Sequence, residues 1–481
     1  MFSKFRFLPL VLFLFLFISA ADAATYVVDR SDDVAGASAC TAAANDCSLR
    51  GAISNANANG AGLDTINFNV GGGNAQSITI SQALPLIQTS LVIDGSTQPL
   101  WSVVPLVEIN GLNAGAGTNG FYVAGGGSPV SVTIKSLIIN RFSGSGIFFN
   151  ATGESSLTVT GCYIGTSANG SSDFGNGEHG IRINAVWDST YTIGGTQASE
   201  RNVISGNNKD GININATFGG FESANTQATI VNNFIGTTSA GNADLGNSES
   251  GVVFAGAGYG YTLLVGGALT SQRNIISGND EDGIFANSNT ISILGNYIGT
   301  SLNGSVDLGN TLDGIRLEGE AVATIGGTIL GFNGGNVISG NNSNGISVDN
   351  SDVTATIKRN RIGTNAAGTS ALGNAEDGIN LYEATTFTNV TMTIGSDTDA
   401  ADGNTISGNG GDGVSIGENI RQVKIFGNRI GTNEAGSAPL ANNVAGIRVQ
   451  SAQNQIGLAG KSRENSARRS RPNRCRPRRS A

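Results

Sequence analysis

A pattern of Asn, any residue and Ile recurs nine times in the last two-thirds of this chain, and it restricts what the chain can fold into. Its first residue falls at Cys162, Asn202, Asn233, Asn274, Asn296, Asn336, Asn360, Asn404 and Asn428, so one copy carries Cys in place of Asn. The steps between copies are 40, 31, 41, 22, 40, 24, 44 and 24 residues. Short and long units mostly alternate, which gives a full period of ~64 residues, in the range of solenoids and arrays. A coil of ~22 residues holds three short strands joined by turns, the repeat of a parallel β-helix.

The long units then need ordinary coils with insertions at one place. A Gly-Ile or Gly-Val pair follows each copy, and the spacing from the Asn position to that glycine takes two values. It is nine residues from Asn202 to Gly211 and eighteen from Asn233 to Gly251. A loop of about nine residues therefore sits at one fixed corner of alternate coils. Its end recurs at Phe174-Gly175-Asn176, Leu245-Gly246-Asn247, Leu308-Gly309-Asn310 and Leu372-Gly373-Asn374. Coils stack ~4.8 Å apart, so the Asn residues should form one column hydrogen-bonded amide to amide. Asn also tolerates the left-handed conformation of a sharp bend, and the glycine before each Gly-Ile strand is expected to meet the same demand. Alternation in Ile181/Ile183 and Ile212/Ile214 turns one strand face inward.

Residues 1–23 combine Lys4 and Arg6 with an apolar run and Ala21-Asp22-Ala23, the pattern of a secretory signal peptide too short to span a membrane. Cys40 and Cys47 are close enough for a local disulfide in that compartment. Cys162 reads as a buried small apolar residue. Leu49, Ala52, Ile53 and Ala56 fall at helical spacing, with Asp46 or Ser48 as N-cap. A β-helix end exposes unpaired strand edges, and this helix is assigned to cover it. The expected organisation is a signal peptide at 1–23, a capping segment at 24–70, a right-handed, all-β parallel β-helix at 71–460 and a tail at 461–481.

CSLRGAI (Cys47 to Ile53) and DTINF (Asp64 to Phe68) resemble the CSLREA-type N-terminal segment of bacterial secreted parallel β-helix proteins. VIDGSTQP (Val92 to Pro99), the Asn-x-Ile repeats and the Gly-Ile pairs extend the resemblance over roughly residues 25–458. It implies secretion and a pectate-lyase-like fold, and no particular reaction. Gly51 departs from the pattern, which usually has Glu there; glycine inside a helix costs about 1 kcal/mol.

The tail holds nine Lys or Arg and one acid in a chain of net charge −9. It replaces the repeat in mid-coil and reads as an out-of-frame or truncated end, and as disordered, rather than as a nucleic-acid-binding arm. The whole reads as a piece of a longer extracellular protein, monomeric and without nucleic-acid partners or a membrane span.

Candidate chemistry concentrates just before the Gly-Ile glycine, where His179, Asp210, Ser250, Asp282, Asp313, Asn344, Asp377, Asp412 and Ala445 follow one another. His179 in GEHGIRI is similar to an element of polygalacturonases, but the paired aspartates that should precede it are missing, and it is read as filling an Asp slot. Asp282/Asp313 and Asp377/Asp412 fall on successive coils, where a cation bridge would relieve repulsion; oxygen-only ligands would select Ca²⁺. Otherwise these are turn residues capping their own backbone. On the outer strand face Phe285, Arg316 and Arg182 are the expected ligand contacts. Enzymes built on repeats break the repeat at their site, and this repeat reads as regular. The expectation is a secreted or cell-surface scaffold or adhesive domain that binds extracellular polysaccharide or other cell-surface components without catalysis. The alternatives are a polysaccharide lyase or glycoside hydrolase, and a Ca²⁺-stabilised stalk.

Overall fold

The computed structural model describes residues 22–457 apart from 61, 217–224, 257–259, 288–289, 330, 350–352 and 383–387. The basic tail and all but the last two residues of the expected export signal lie outside the described residues. The chain winds into three long parallel sheets of 14, 12 and 11 strands, in which each strand pairs with its counterparts in the coils before and after. This is a parallel β-helix.

The 14-stranded sheet runs from Thr25–Val28 to Gln455–Ile456 and is called here the long sheet. The 12-stranded ladder sheet carries the Asn-x-Ile strands, such as Val203–Ile204 and Phe234–Ile235. The 11-stranded Gly-Ile sheet runs from Phe121–Val123 to Ile447–Val449. Strands alternate in burial, so Ile181, Ile183, Ile212 and Ile214 point into one continuous apolar core.

Asn202, Asn233, Asn274, Asn296, Asn336, Asn360, Asn404 and Asn428 form a continuous column. Each side-chain amide donates to the next Asn Oδ1 at 2.8–3.2 Å. The second N–H of Asn274 donates to Ile230 O at 2.8 Å, while its Oδ1 accepts from the Asn233 backbone and side chain. Every polar atom of such a buried amide is satisfied, so the column stabilises the stack instead of costing desolvation. Cys162 is buried at its head, where its N–H donates to Asn202 Oδ1 at 2.8 Å and burial pushes the thiol up to about 12.

Two local expectations need correction. The ladder asparagines are not left-handed: positive φ belongs to the preceding residue in alternate coils, as at Asn232 (58°) and Arg359 (60°). Gly180 and its counterparts likewise have ordinary φ. They are glycine because the coils touch there: a Cβ on Gly180 would lie 2.7 Å from Gly211 O and 2.6 Å from Ile204 Cγ2.

The N-terminal end is closed by a helix, Leu49–Asn59, which turns Leu49, Ala52, Ile53 and Ala56 into the core. Ser48 caps it by accepting from Gly51 N at 3.1 Å, and Gly60 ends it at φ 76°. A Cβ on Gly51 would meet Ala37 O at 2.2 Å, which is why a larger residue cannot stand there. Arg50 is buried with Asp33 in a two-pronged ion pair and donates to Ala83 O and Gln82 O, tying helix to first coils. A disulfide joins Cys40 to Cys47 beside the helix start. In VIDGSTQP, Gln98 exchanges two hydrogen bonds with the Val70 backbone, and a Cβ on Gly95 would collide with Ser136 O at 2.1 Å.

Candidate functional site

The three sheets present different outer faces. Over the ladder sheet, the loops of alternate coils fold back and stack on one another: Ser239 N donates to Gly170 O, Leu302 N to Gly241 O, Ala366 N to Gly304 O and Glu434 N to Gly368 O, at 2.7–2.9 Å. Beneath them Val203, Phe234 and Ile275 form a second buried apolar cluster. Along these coils that face is largely covered, although Tyr163 and Tyr297 stay partly exposed. The long sheet shows a rank of threonines, with Thr133, Thr158, Thr192 and Thr229 in register on successive coils. Exposed threonine is what a β-strand surface favours without any ligand.

The Gly-Ile sheet is different. Parallel sheets are ordinarily covered on both faces, yet its outward row reads Tyr122, Phe148, Arg182, Asn213, Val253, Phe285 and Arg316 on neighbouring coils, all partly exposed. The Tyr122 and Phe148 rings stack with centroids 4.8 Å apart and planes 18° apart. Arg182 lies over Phe148 with Cζ 4.7 Å from the ring centre, and Arg316 lies 5.9 Å from that of Phe285. Both guanidiniums have acidic neighbours. Arg182 is 3.8 Å from Glu178, and Arg316 pairs with Glu318 and Asp349.

Along one edge of this face runs the corner column. The carboxylates of Asp210, Asp282, Asp313 and Asp377 do not cap their own backbone: each accepts from a backbone N–H of the next coil. Asp210 Oδ1 accepts from Ser250 N, Asp282 Oδ1 from Asp313 N, Asp313 Oδ1 from Asn344 N, and Asp377 Oδ1 from Asp412 N, at 2.5–3.0 Å. Asp313 Oδ2 also accepts from Ser347 Oγ at 2.5 Å. Burial, more than the neighbouring Asp313, pushes the Asp282 carboxyl up to about 7, and burial also raises Asp377. Asp377, Asp412, Ser415 and Arg448 line an open depression of about 380 Å³, in which Arg448 Nε stands 2.5 Å from Asp412 Oδ2.

His179 begins the column. Its Nδ1 lies 3.1 Å from Asp210 Oδ2, but outside hydrogen-bonding alignment. Asp210 Oδ2 also accepts from Asn213 Nδ2 at 2.8 Å. Glu249, two coils from His179, brings its carboxylate to the same place; burial first, then Asp210, raises it above the usual range. Among the described residues this is the one group of three His, Cys, Asp or Glu side chains close enough to share a metal ion. Asp282/Asp313 and Asp377/Asp412 sit on successive coils in the same column, outside that group.

Two features escaped the sequence reading. The Asn that ends both SGN and LGN segments forms a second complete ladder: Asn176, Asn207, Asn247, Asn279, Asn310, Asn341, Asn374, Asn409 and Asn442, linked at 2.8–2.9 Å. Its signal was available, since each of these stands four residues before the Gly-Ile glycine whether or not the loop intervenes. The grouping of His179, Asp210 and Glu249 was also missed, because Glu249 lies outside the column that holds the other two.

No protein-family model matches this sequence, and no curated protein matches it. Among solved structures, it is similar to the A-module of the mannuronan C-5 epimerase AlgE4 of Azotobacter vinelandii. The identity is 15% and the TM-score 0.29, over 86% of this chain and 93% of that one. It is also similar to the periplasmic alginate epimerase AlgG, at 13% identity and TM-score 0.31, over 79% of this chain and 77% of that one. At these scores nothing is transferred from those enzymes to this chain.

Proposed function

We propose that this is a secreted or cell-surface β-helix whose open Gly-Ile face binds an extended polysaccharide without cleaving it. The observation that carries the reading is the outward row on that face, where aromatic rings and arginines recur in register while the ladder-sheet face is largely covered by loops. The C–H face of a sugar ring stacks on an aromatic ring, and a neighbouring guanidinium or amide donates to its hydroxyls. Coil-spaced contacts of this kind are individually weak and multiply along an extended ligand. Because Arg182 and Arg316 already face carboxylates, the row offers little uncompensated positive charge. Neutral glycans therefore suit it better than polyuronates.

Affinity electrophoresis of the purified chain against neutral and acidic polysaccharides tests this. Retardation by a neutral glycan that Phe285→Ala and Phe148→Ala each weaken, with no new reducing ends or unsaturated products, supports it. Retardation unchanged by both variants would remove the face from the account. A second reading, cleavage of the bound glycan, is favoured by the His179–Asp210–Glu249 group at the edge of this face. Turnover abolished by His179→Gln would establish it in place of simple binding.

A further inference from the structure

On three successive coils the corner column departs from its usual Asp on both sides of Asp210. The slot before the glycine holds His179, Asp210 and Ser250 in turn, and Glu249, the residue before Ser250, supplies the carboxylate that the serine lacks. One ligand atom from each of His179, Asp210 and Glu249 lies within 4.8 Å of those of the other two. His179 and Asp210 are only 7% and 4% exposed. A buried imidazole nitrogen is ordinarily hydrogen-bonded, yet His179 Nδ1 has no such partner while aimed into this group. Its 3.1 Å separation from Asp210 Oδ2 lies near the ~3.3 Å edge between two ligands of a tetrahedral site with metal bonds of ~2.0–2.1 Å.

We propose that His179 Nδ1, Asp210 and Glu249 form a three-ligand site for a divalent transition metal ion, with Zn²⁺ the best fit and a fourth position open to solvent. The inference does not rest on glycan binding. One imidazole and two carboxylates suit a borderline ion, whereas Ca²⁺ takes six to eight oxygens. The charge also fits, because Asp210, Glu249 and the adjacent Glu281 place negative charge together, with Glu281 accepting from Ser250 Oγ at 3.4 Å. The nearby cation Lys209 stands 3.8 Å from Glu178. Asp210 is held in place by Asn213 Nδ2 and Ser250 N, the outer support that orients a metal ligand. Glu249 is less buried than the other two, so its side chain can close the remaining distance by rotation. A metal here would pin three successive coils at one corner, beside Arg182 and Asn213 of the open face.

The test is metal content and affinity of the untagged full chain. After equilibration with ZnCl₂ and gel filtration, elemental analysis should find about one zinc per chain, and excess Ca²⁺ should not displace it. Replacing zinc by Co²⁺ should give the visible absorption of a four-coordinate site. Glu249→Gln, at a partly exposed position, should weaken zinc binding at least about tenfold without altering the circular dichroism spectrum, and His179→Gln should weaken it further. Asp313→Asn, in the same column but outside the group, should leave it unchanged. No retained zinc, or zinc retained equally by Glu249→Gln and His179→Gln, would overturn the proposal and leave only a buried His179–Asp210 contact.

Discussion

The two ends of the short ladder-sheet strands are held by asparagine, coil after coil; the corner before the Gly-Ile strand is not held by any one residue. Asn202 through Asn428 and Asn176 through Asn442 repeat one residue type, and each side-chain amide is bonded to the next. A few residues further along the same coils, the column passes through His, Asp, Ser, Asn and Ala. There His179 Nδ1 and Asp412 Oδ1 are buried without a hydrogen-bond partner, and burial raises the Asp282 and Asp377 carboxyls. Both regions are turns of the same β-helix and feel the same coil spacing. Uniform, satisfied columns maintain the stack, while departures concentrate where the fold does not demand one residue.

The comparison is broken most forcefully at a ladder. Asn274→Ala should cost about 3 kcal/mol, because it strands the Asn233 amide and the Ile230 carbonyl, whose partners are lost in the core. Urea unfolding followed by circular dichroism reads this directly. A cost below about 1 kcal/mol would mean that water or neighbouring groups replace the amide.

The corner column should respond with the opposite sign. The Asp282 carboxyl, ordinarily near 3.8, is raised to about 7 in the fold. A raised carboxyl contributes stability that is present at pH below ~4 and is lost as pH climbs through ~7. Asp282→Asn should therefore flatten the pH profile and stabilise the chain by up to about 2 kcal/mol at pH 8. A profile unchanged by the substitution would remove burial of charge from this corner. Repeating the series with a calcium chelator separates the proton from a bridging cation: melting lowered by chelator in the native chain, but not in Asp313→Asn, would mark the Asp282/Asp313 pair as a Ca²⁺ site.

The smallest expected effect is on stability at the open face. Phe285→Ala removes a partly exposed ring on the outer face, between Val253 and Arg316, so unfolding should change by less than about 1 kcal/mol. Glycan affinity should fall about tenfold, which is 1.4 kcal/mol.

Much of the architecture was legible because a solenoid repeats its instructions. The Asn-x-Ile copies, the alternation in Ile181/Ile183 and the two Asn-to-Gly spacings suffice to set strands, corners and loops in order. What was not legible depends on atoms from different coils meeting. Gly180 excludes a side chain through contact with Gly211 and Ile204, not through its own φ. Gly51 is required by the Ala37 carbonyl. Asp282 bonds to the backbone of the following coil, not to its own. Glu249 stands one residue out of the column that a repeat alignment inspects, so periodicity itself concealed its meeting with His179 and Asp210.

The central claim, that the open Gly-Ile face binds an extended glycan, is tested most directly by ligand length. Calorimetric titration of the full chain with size-fractionated oligosaccharides of a retarded polysaccharide should show affinity rising with each added sugar over several coils. Phe148→Ala and Phe285→Ala should lower that rise from positions several coils apart, and the oligosaccharides should be recovered intact. Affinity that is already maximal for a mono- or disaccharide, or oligosaccharides recovered as shorter products, would contradict an extended, non-cleaving face.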